Sequence, residues 1–329
     1  MFIFYQISME DDKISSNETV LHRALKLNLL RKNHLMLENG QIPLLVSDLK
    51  TLLPKKYIND RIIDIYLKMM LSDSAHNISF IESSIVSFLL SSFCESAMVR
   101  DRVDLTRNHI IMPWCENKHW KMIILTPKEF KFSIVDSLGV KQSSVIKISK
   151  FINDNLRLKT ERSWNLKNVF TEKQKDGYNC GVFILRYFDR FLGLNHLQGT
   201  PDESRKQIFN FLTKNGKISS TKCTNCTKMD LFLVNNDNKK SSKWVHCKKC
   251  YRKYHSSCME IDFEPSEIAE CEICSILRYL QESNKIISNR KSEQIFSKLN
   301  DKSPRIKKQA CWLDKISIAN QNFWKYFKI

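Results

Sequence analysis

Glycine and proline are scarce, seven of each in 329 residues. So low a content of both argues against long flexible linkers. Long apolar runs are missing too. None reaches the roughly 18 residues a membrane helix requires, so no membrane partner is expected. The opening Met1-Phe2-Ile3-Phe4-Tyr5-Gln6-Ile7 is apolar but short. It lacks a basic start and meets Glu10-Asp11-Asp12, which does not fit a signal peptide. The expectation is an intracellular protein, nuclear or cytoplasmic with the nucleus favoured, whose thiols stay reduced. Acidic residues are the minority, 35 Asp and Glu against 53 Lys and Arg, for a net charge of +18. The excess is uneven: residues 1–215 hold 31 basic against 23 acidic residues, and residues 216–329 hold 22 against 12. The C-terminal third therefore suits something acidic, a nucleic acid, an acidic protein or chromatin, and equally suits a solvated lysine-rich surface. A histone tail, itself basic, would be a partner of the cysteine-rich region instead. No internal repeat is present.

What remains is ordinary for a globular chain: 42% hydrophobic, 27% charged, and long enough for two domains. Residues 1–40 carry a modest amphipathic stripe (Leu21, Leu25, Leu27, Leu30) and read as a helix-prone lead-in. Helices are expected over 59–71, over 78–99 with Ile81, Ile85, Phe88 and Leu89 on one face, and over 143–156, 180–192 and 202–212. Strands are expected at His109–Met112, Met122–Leu125 and Phe132–Val135, with a short one near Asn168-Val169-Phe170. Strands clustered between helices indicate an α+β fold with a central sheet flanked by helices.

The most informative stretch is Gln174-Lys175-Asp176-Gly177-Tyr178-Asn179-Cys180-Gly181. A polar, turn-forming segment ends in a cysteine that begins an apolar helix. The unpaired N–H groups and dipole of a helix N-terminus favour thiolate, the form that attacks carbonyls. A buried capping cysteine would look the same in isolation. Two upstream positions add weight to the first reading. His119 starts one strand and Asp136 ends the next, so a hairpin can bring them together. Cys180, His119, Asp136 and the Gln174 amide supply a nucleophile, a base, an orienting carboxylate and an oxyanion donor.

Over residues 40–212 the chain resembles the ubiquitin-like-protein-specific (sentrin- or SUMO-specific) cysteine proteases. Four ordered blocks carry the resemblance: Leu45 to Asp64 with Asp48-Leu49, Leu52-Leu53-Pro54 and Tyr57-Ile58-Asn59-Asp60; His119-Trp120; Val135-Asp136-Ser137; and Gln174 to Gly181. It implies a papain-like or adenain-like protease fold that hydrolyses the Gly-X peptide or isopeptide bond ending a SUMO-like protein. Cys180 would be the nucleophile, His119 the base and Asp136 its orienter. Gln174 and the Cys180 N–H would hold the oxyanion. Trp120, Tyr57 and Asp60 would bind substrate, Trp120 covering the channel for a Gly-Gly tail. The chain departs from the pattern at Tyr57, where a Trp is usual, and at Asn179 and Asp176, which stand where Asp and Asn are usual. Polyprotein processing in a virus or mobile element, and a chromatin or nucleic-acid binding protein on a protease scaffold, are the alternative readings.

Cysteine spacing marks a second region. Seven of the 11 cysteines fall within 222–275, as Cys223-x2-Cys226, Cys247-x2-Cys250, His255-x2-Cys258 and Cys271-x2-Cys274. Eight ligands suffice for two tetrahedral structural zinc ions, whose binding would supply folding energy that so small and polar a segment lacks. The order of four cysteines, one histidine and three cysteines resembles the plant-homeodomain (PHD) finger, with the RING finger as the alternative. The resemblance implies interleaved sites: Cys223, Cys226, His255 and Cys258 for one ion, Cys247, Cys250, Cys271 and Cys274 for the other. His246 is a spare imidazole. Trp244 stands at a methyl-lysine cage position, but Lys253 stands where a second cage aromatic is usual and would repel a cation. The expected organisation is a lead-in at 1–39, a protease domain at 40–215, a finger at 220–276 and a basic tail at 277–329. Cys94, Cys115 and Cys311 fit no motif.

Overall fold

The architecture is seen in a computed structural model, which describes residues 19–39, 42–72, 77–91, 96–156, 163–228, 244–259 and 267–288. Cys94, Cys311, residues 1–18 of the lead-in and all of the basic tail beyond residue 288 lie outside the described residues. The chain forms two compact units, one of residues 32–246 and 251–267, the other of residues 1–31, 247–250 and 268–329.

The larger unit is organised on apolar, β-branched runs that neither face of a sheet could leave in water. His109–Glu116 (β4) and His119–Thr126 (β5) are each buried along nearly their whole length, as strands covered on both faces must be. Between them Asn117 and Lys118 both adopt positive φ, 52° and 62°. That is the two-residue turn whose twist suits a hairpin, and it pairs His119 directly with Glu116. Lys131–Val135 (β6) pairs antiparallel with β5 in the register Met122↔Val135, so the residue after Val135 arrives at the end of the sheet where β5 begins. Ile78–Phe80 (β3) and Asn165–Leu166 (β7) add parallel edges, giving the order β3-β4-β5-β6-β7.

Three long helices accompany the sheet: Asp60–Ser72 (α1), Gln142–Asn155 (α2) and Cys180–Phe191 (α3), and α3 packs on β5. Ile110, Met112, Trp114, Ile123, Leu125 and Ile134 of the sheet meet Ile148, Phe151 and Ile152 of α2 in the main core. Pro201–Asn215 (α4) opens on a Thr200–Glu203 capping box with proline in its first turn. A ribbon precedes all of this, Leu35–Asn39 (β1) paired with Ile42–Leu45 (β2).

Three expectations are corrected. The helix expected over 78–99 is strand β3, a helix Ser83–Leu89, and a further helix Ser96–Arg102. Phe88, expected on the same face as Leu89, is 45% exposed, because the face this helix turns to the core is Ser83, Val86 and Leu89, and Phe88 lies two residues round the helix from Val86. The strand expected at 168–170 forms three residues earlier, at Asn165–Leu166, where it can pair with β6. Among the described residues the lead-in is helical over Val20–Lys26, and its last part is strand β1.

In the smaller unit, the helix Val20–Lys26 lies against the helix Glu272–Ser288, and Arg31 Nη2 meets Glu272 Oε2 at 3.2 Å. Among the described residues no helix is long and apolar enough to cross a membrane.

Candidate active site and metal clusters

The two strand ends and the α3 N-terminus converge. His119 Nε2 lies 2.7 Å from Asp136 Oδ1, and Asp136 is 1% exposed. The same Oδ1 accepts the Leu138 N–H at 2.9 Å, so the carboxylate is fixed from its own chain as well. Burial opposes the charge of Asp136. The bond to His119, the Leu138 N–H and the Lys121 charge outweigh that cost and hold its carboxyl below the usual range. The hydrogen bond His119 gives to Asp136 and the neighbouring Cys180 sulfur push His119 up to about 9. With Nε2 committed to Asp136, the other ring nitrogen is the one left for the thiol. Cys180 itself is 1% exposed at the first position of α3.

The turn leading to Cys180 is held by its own polar side chains. Asp176 Oδ1 accepts the N–H groups of Tyr178 (3.0 Å) and Asn179 (2.8 Å), and its Oδ2 accepts from Asn179 Nδ2 at 2.9 Å. Asn179 Oδ1 in turn accepts from Arg205 Nε at 2.9 Å. The exchanged Asp and Asn thus keep one carboxylate and one amide in the turn, bonded to each other. Gln174 is 8% exposed. Its Oε1 accepts from Ser137 Oγ at 2.6 Å and its Nε2 donates to the Asp176 carbonyl at 2.7 Å.

Trp120 is 4% exposed, and its indole N–H donates to the Ile58 carbonyl at 2.7 Å. A Cβ on Gly181 would sit 3.2 Å from Trp120 Cδ1 and 3.0 Å from Ile58 Cβ, so glycine is what lets α3 approach both. Tyr57 is 52% exposed beside them, and Asp60 opens α1 at the surface. The first sequence block also has a structural task. Asn59 Nδ2 donates to Asp48 Oδ1 at 2.7 Å, and Asn59 Oδ1 accepts the Ile62 N–H in the first turn of α1.

The sequence gives no role to Arg205 or to the Ser137 side chain. Arg205 is 1% exposed and donates to Asn179 Oδ1 and to the carbonyls of Thr51, Leu53, Lys56 and Tyr178. A basic residue in an amphipathic helix gives no sign of such burial. Ser137 was visible only as the neighbour of Asp136. Cys115 is exposed.

The cysteine-rich region gathers into two four-residue clusters, Cys223, Cys226, His255 and Cys258, and Cys247, Cys250, Cys271 and Cys274. Within each, all ligand atoms lie within 4.8 Å of one another. Four sulfurs about 2.3 Å from a tetrahedral ion stand roughly 3.8 Å apart. The observed separations fit: Cys247 Sγ to Cys274 Sγ 3.9 Å, Cys250 Sγ to Cys271 Sγ 3.6 Å, Cys258 Sγ to His255 Nδ1 3.8 Å. Both clusters can therefore hold a metal ion. The first lies wholly in the larger unit, the second wholly in the smaller. In the first, Trp244–Cys247 (β8) pairs with Lys253–His255 (β9) in the register Trp244↔His255. The Lys253 ammonium stands over the Trp244 ring, 5.8 Å from its centre, a cation–π contact within this hairpin. His246 joins neither cluster.

No protein-family model matches the chain. It is 24% identical over 206 residues to ubiquitin-like-specific protease ESD4 of Arabidopsis thaliana, covering 53% of this chain and 40% of that protein. Ubiquitin-like-specific protease 1 of Saccharomyces cerevisiae is 23% identical over 186 residues, 52% of this chain and 28% of that protein. NEDD8-specific protease 1 of Arabidopsis thaliana is 28% identical over 195 residues, 54% of this chain and 74% of that protein. The chain thus matches well under half the length of the first two. Among solved structures, the C-terminal protease domain of yeast Ulp1 in complex with Smt3, the yeast ortholog of SUMO, overlays with a TM-score of 0.49 at 20% identity. The overlay covers 60% of this chain and 94% of that one. These homologous sequences support a likeness of the protease part of this chain to the Ulp1-like ubiquitin-like-specific protease family.

Proposed function

We propose that the chain is a cysteine protease that hydrolyses the bond following the C-terminal glycine of a ubiquitin-like protein, a SUMO-like one in the first instance. The observation that carries this is His119 hydrogen-bonded to buried Asp136 and interacting with Cys180 at the start of α3. Imidazolium His119, favoured by its raised pKa, pairs with the thiolate. The thiolate attacks the glycine carbonyl, and the Cys180 N–H with a Gln174 N–H faces the developing oxyanion. The C–N bond then breaks, and His119 gives its proton to the leaving amine. Neutral His119 next takes a proton from water, whose oxygen attacks the thioester and frees the acid and Cys180.

The substrate class rests on the names of the sequence relatives, which are ubiquitin-like-specific and NEDD8-specific proteases. Each cluster is read as a structural zinc site in a PHD-type arrangement, supported by the donor set and the interleaved grouping. Its residues would hold the metal, which supplies folding energy and takes no part in the hydrolysis.

The test is reaction of the zinc-loaded full chain with a panel of ubiquitin-like proteins bearing C-terminal electrophilic traps. An adduct with one member, absent in Cys180→Ala, is expected. An adduct of equal yield in Cys180→Ala would refute the nucleophile. No adduct with any member would refute the substrate class.

A further inference from the structure

The carboxylate that orients the base is followed directly by a serine that grips the oxyanion donor. Ser137 is 2% exposed, and it holds Gln174 twice. Its carbonyl accepts the Gln174 backbone N–H at 3.1 Å, and its hydroxyl lies 2.6 Å from Gln174 Oε1. The orientation of the carboxamide follows from its other partner. The Asp176 carbonyl, 2.7 Å away, can only accept, so the nitrogen of the Gln174 amide must face it. The oxygen then faces Ser137, which must donate. A carboxamide turned over would set Oε1 against the Asp176 oxygen. One amide hydrogen is spent on Asp176, and the second remains.

Thr171 Oγ1 fixes the same corner from outside by donating to the Asp136 carbonyl at 3.1 Å. Two consecutive residues thus serve opposite sides of the site: Asp136 reaches His119, and Ser137 reaches Gln174.

We infer that Ser137 is a positioning residue of the hydrolytic site, whose hydroxyl locks the Gln174 carboxamide with its free N–H presented to the oxyanion. This rests on the cysteine-protease reading and extends it to a residue outside the set of nucleophile, base, orienter and donor. Without the hydroxyl, Gln174 Oε1 loses its donor inside a buried site and the carboxamide is free to turn about its last torsion.

The experiment compares wild type, Ser137→Ala, Gln174→Ala and the double variant on a coumarin amide of the reactive ubiquitin-like protein. Alkylation of Cys180 by iodoacetamide, which forms no oxyanion, is followed across pH in parallel. Loss of one oxyanion donor costs about 10²–10³ in kcat. Ser137→Ala is expected to lose about tenfold or more in kcat, less than Gln174→Ala, with KM nearly unchanged. Its alkylation profile should match wild type, because the pairing of Cys180, His119 and Asp136 is untouched. In the Gln174→Ala background the serine change should cost nothing further. The inference is overturned if Ser137→Ala keeps wild-type kcat, if its loss multiplies with that of Gln174→Ala, or if alkylation slows in step with hydrolysis. Undiminished hydrolysis by Cys180→Ala would refute the protease reading itself, a distinct result.

Discussion

Replacing Arg205 by lysine tests whether one buried cation organises the approach to the nucleophile. Arg205 spreads three nitrogens over five acceptors, an amide oxygen and four backbone carbonyls, at 2.6 to 3.3 Å. Among the described residues no carboxylate hydrogen-bonds to it. Lysine keeps the charge but offers three donors from one atom, so at least two acceptors lose their partner. An unsatisfied buried acceptor costs about 1–3 kcal/mol. Thr51 and Leu53 are only partly buried and Lys56 is exposed, so water can reach some of these carbonyls, and the low end applies. We expect a loss of about 2–3 kcal/mol, or roughly 4–12 °C in Tm for a unit of this size. Tyr178 and Asn179 immediately precede Cys180, so kcat should fall with stability. The assay is thermal and urea denaturation of the zinc-loaded full chain, with hydrolysis measured well below Tm. A lysine variant within about 0.5 kcal/mol of wild type and of equal activity would refute the reasoning, since surface exchanges fall in that range.

Gly181→Ala places a Cβ at 3.0 Å from Ile58 and 3.2 Å from Trp120. It should cost about 1–3 kcal/mol by overpacking and lower hydrolysis, and unchanged melting would show that the contact yields freely. His119 has a folded pKa raised to about 9, so the stability it contributes is fully present below its unfolded value of about 6.5 and is lost as pH rises through 9. The gap in urea stability between wild type and His119→Gln should close toward pH 10, and a constant gap would rule this out. Chelation of metal should unfold the cysteine-rich segments, read by loss of protection from proteolysis at residues 222–228 and 244–258. Retention of that protection with the metal demonstrably removed would refute the structural role.

Much of the site was legible in the sequence because strand ends and helix starts are local features. The apolar runs of β5 and β6 placed His119 and Asp136 at element ends, and the turn before Cys180 announced a helix N-terminus. Pairing then did the rest through a two-residue turn at Asn117-Lys118 and an antiparallel register. The paired cysteines were likewise legible by spacing, and their interleaved grouping followed from the resemblance to the PHD finger. What stayed hidden depends on contacts between distant segments. The residues after Ile78 look helical by composition, yet the first of them pair with β4. Arg205 looks like any cation on an amphipathic helix until its partners, about 150 residues away, close over it.

Those long-range ties change what the first metal cluster does. The Leu35 N–H donates to the Thr224 carbonyl at 2.8 Å, Arg252 reaches the Met36 carbonyl, and Lys222 pairs with Glu38 at 3.3 Å. Each joins the segments bearing Cys223, Cys226 and His255 to ribbon strand β1. From β2 the chain runs straight to Asp48, which holds Asn59, and to Thr51 and Leu53, whose carbonyls accept from Arg205. Arg205 in turn holds Asn179, the residue before Cys180. A metal ion at the first cluster would therefore steady a frame that ends at the nucleophile, although no ligand touches the reacting atoms. Cys226→Ser should accordingly depress kcat together with the melting temperature of the larger unit. An isolated loss of finger structure, with hydrolysis unchanged, would show that the ribbon holds without its metal.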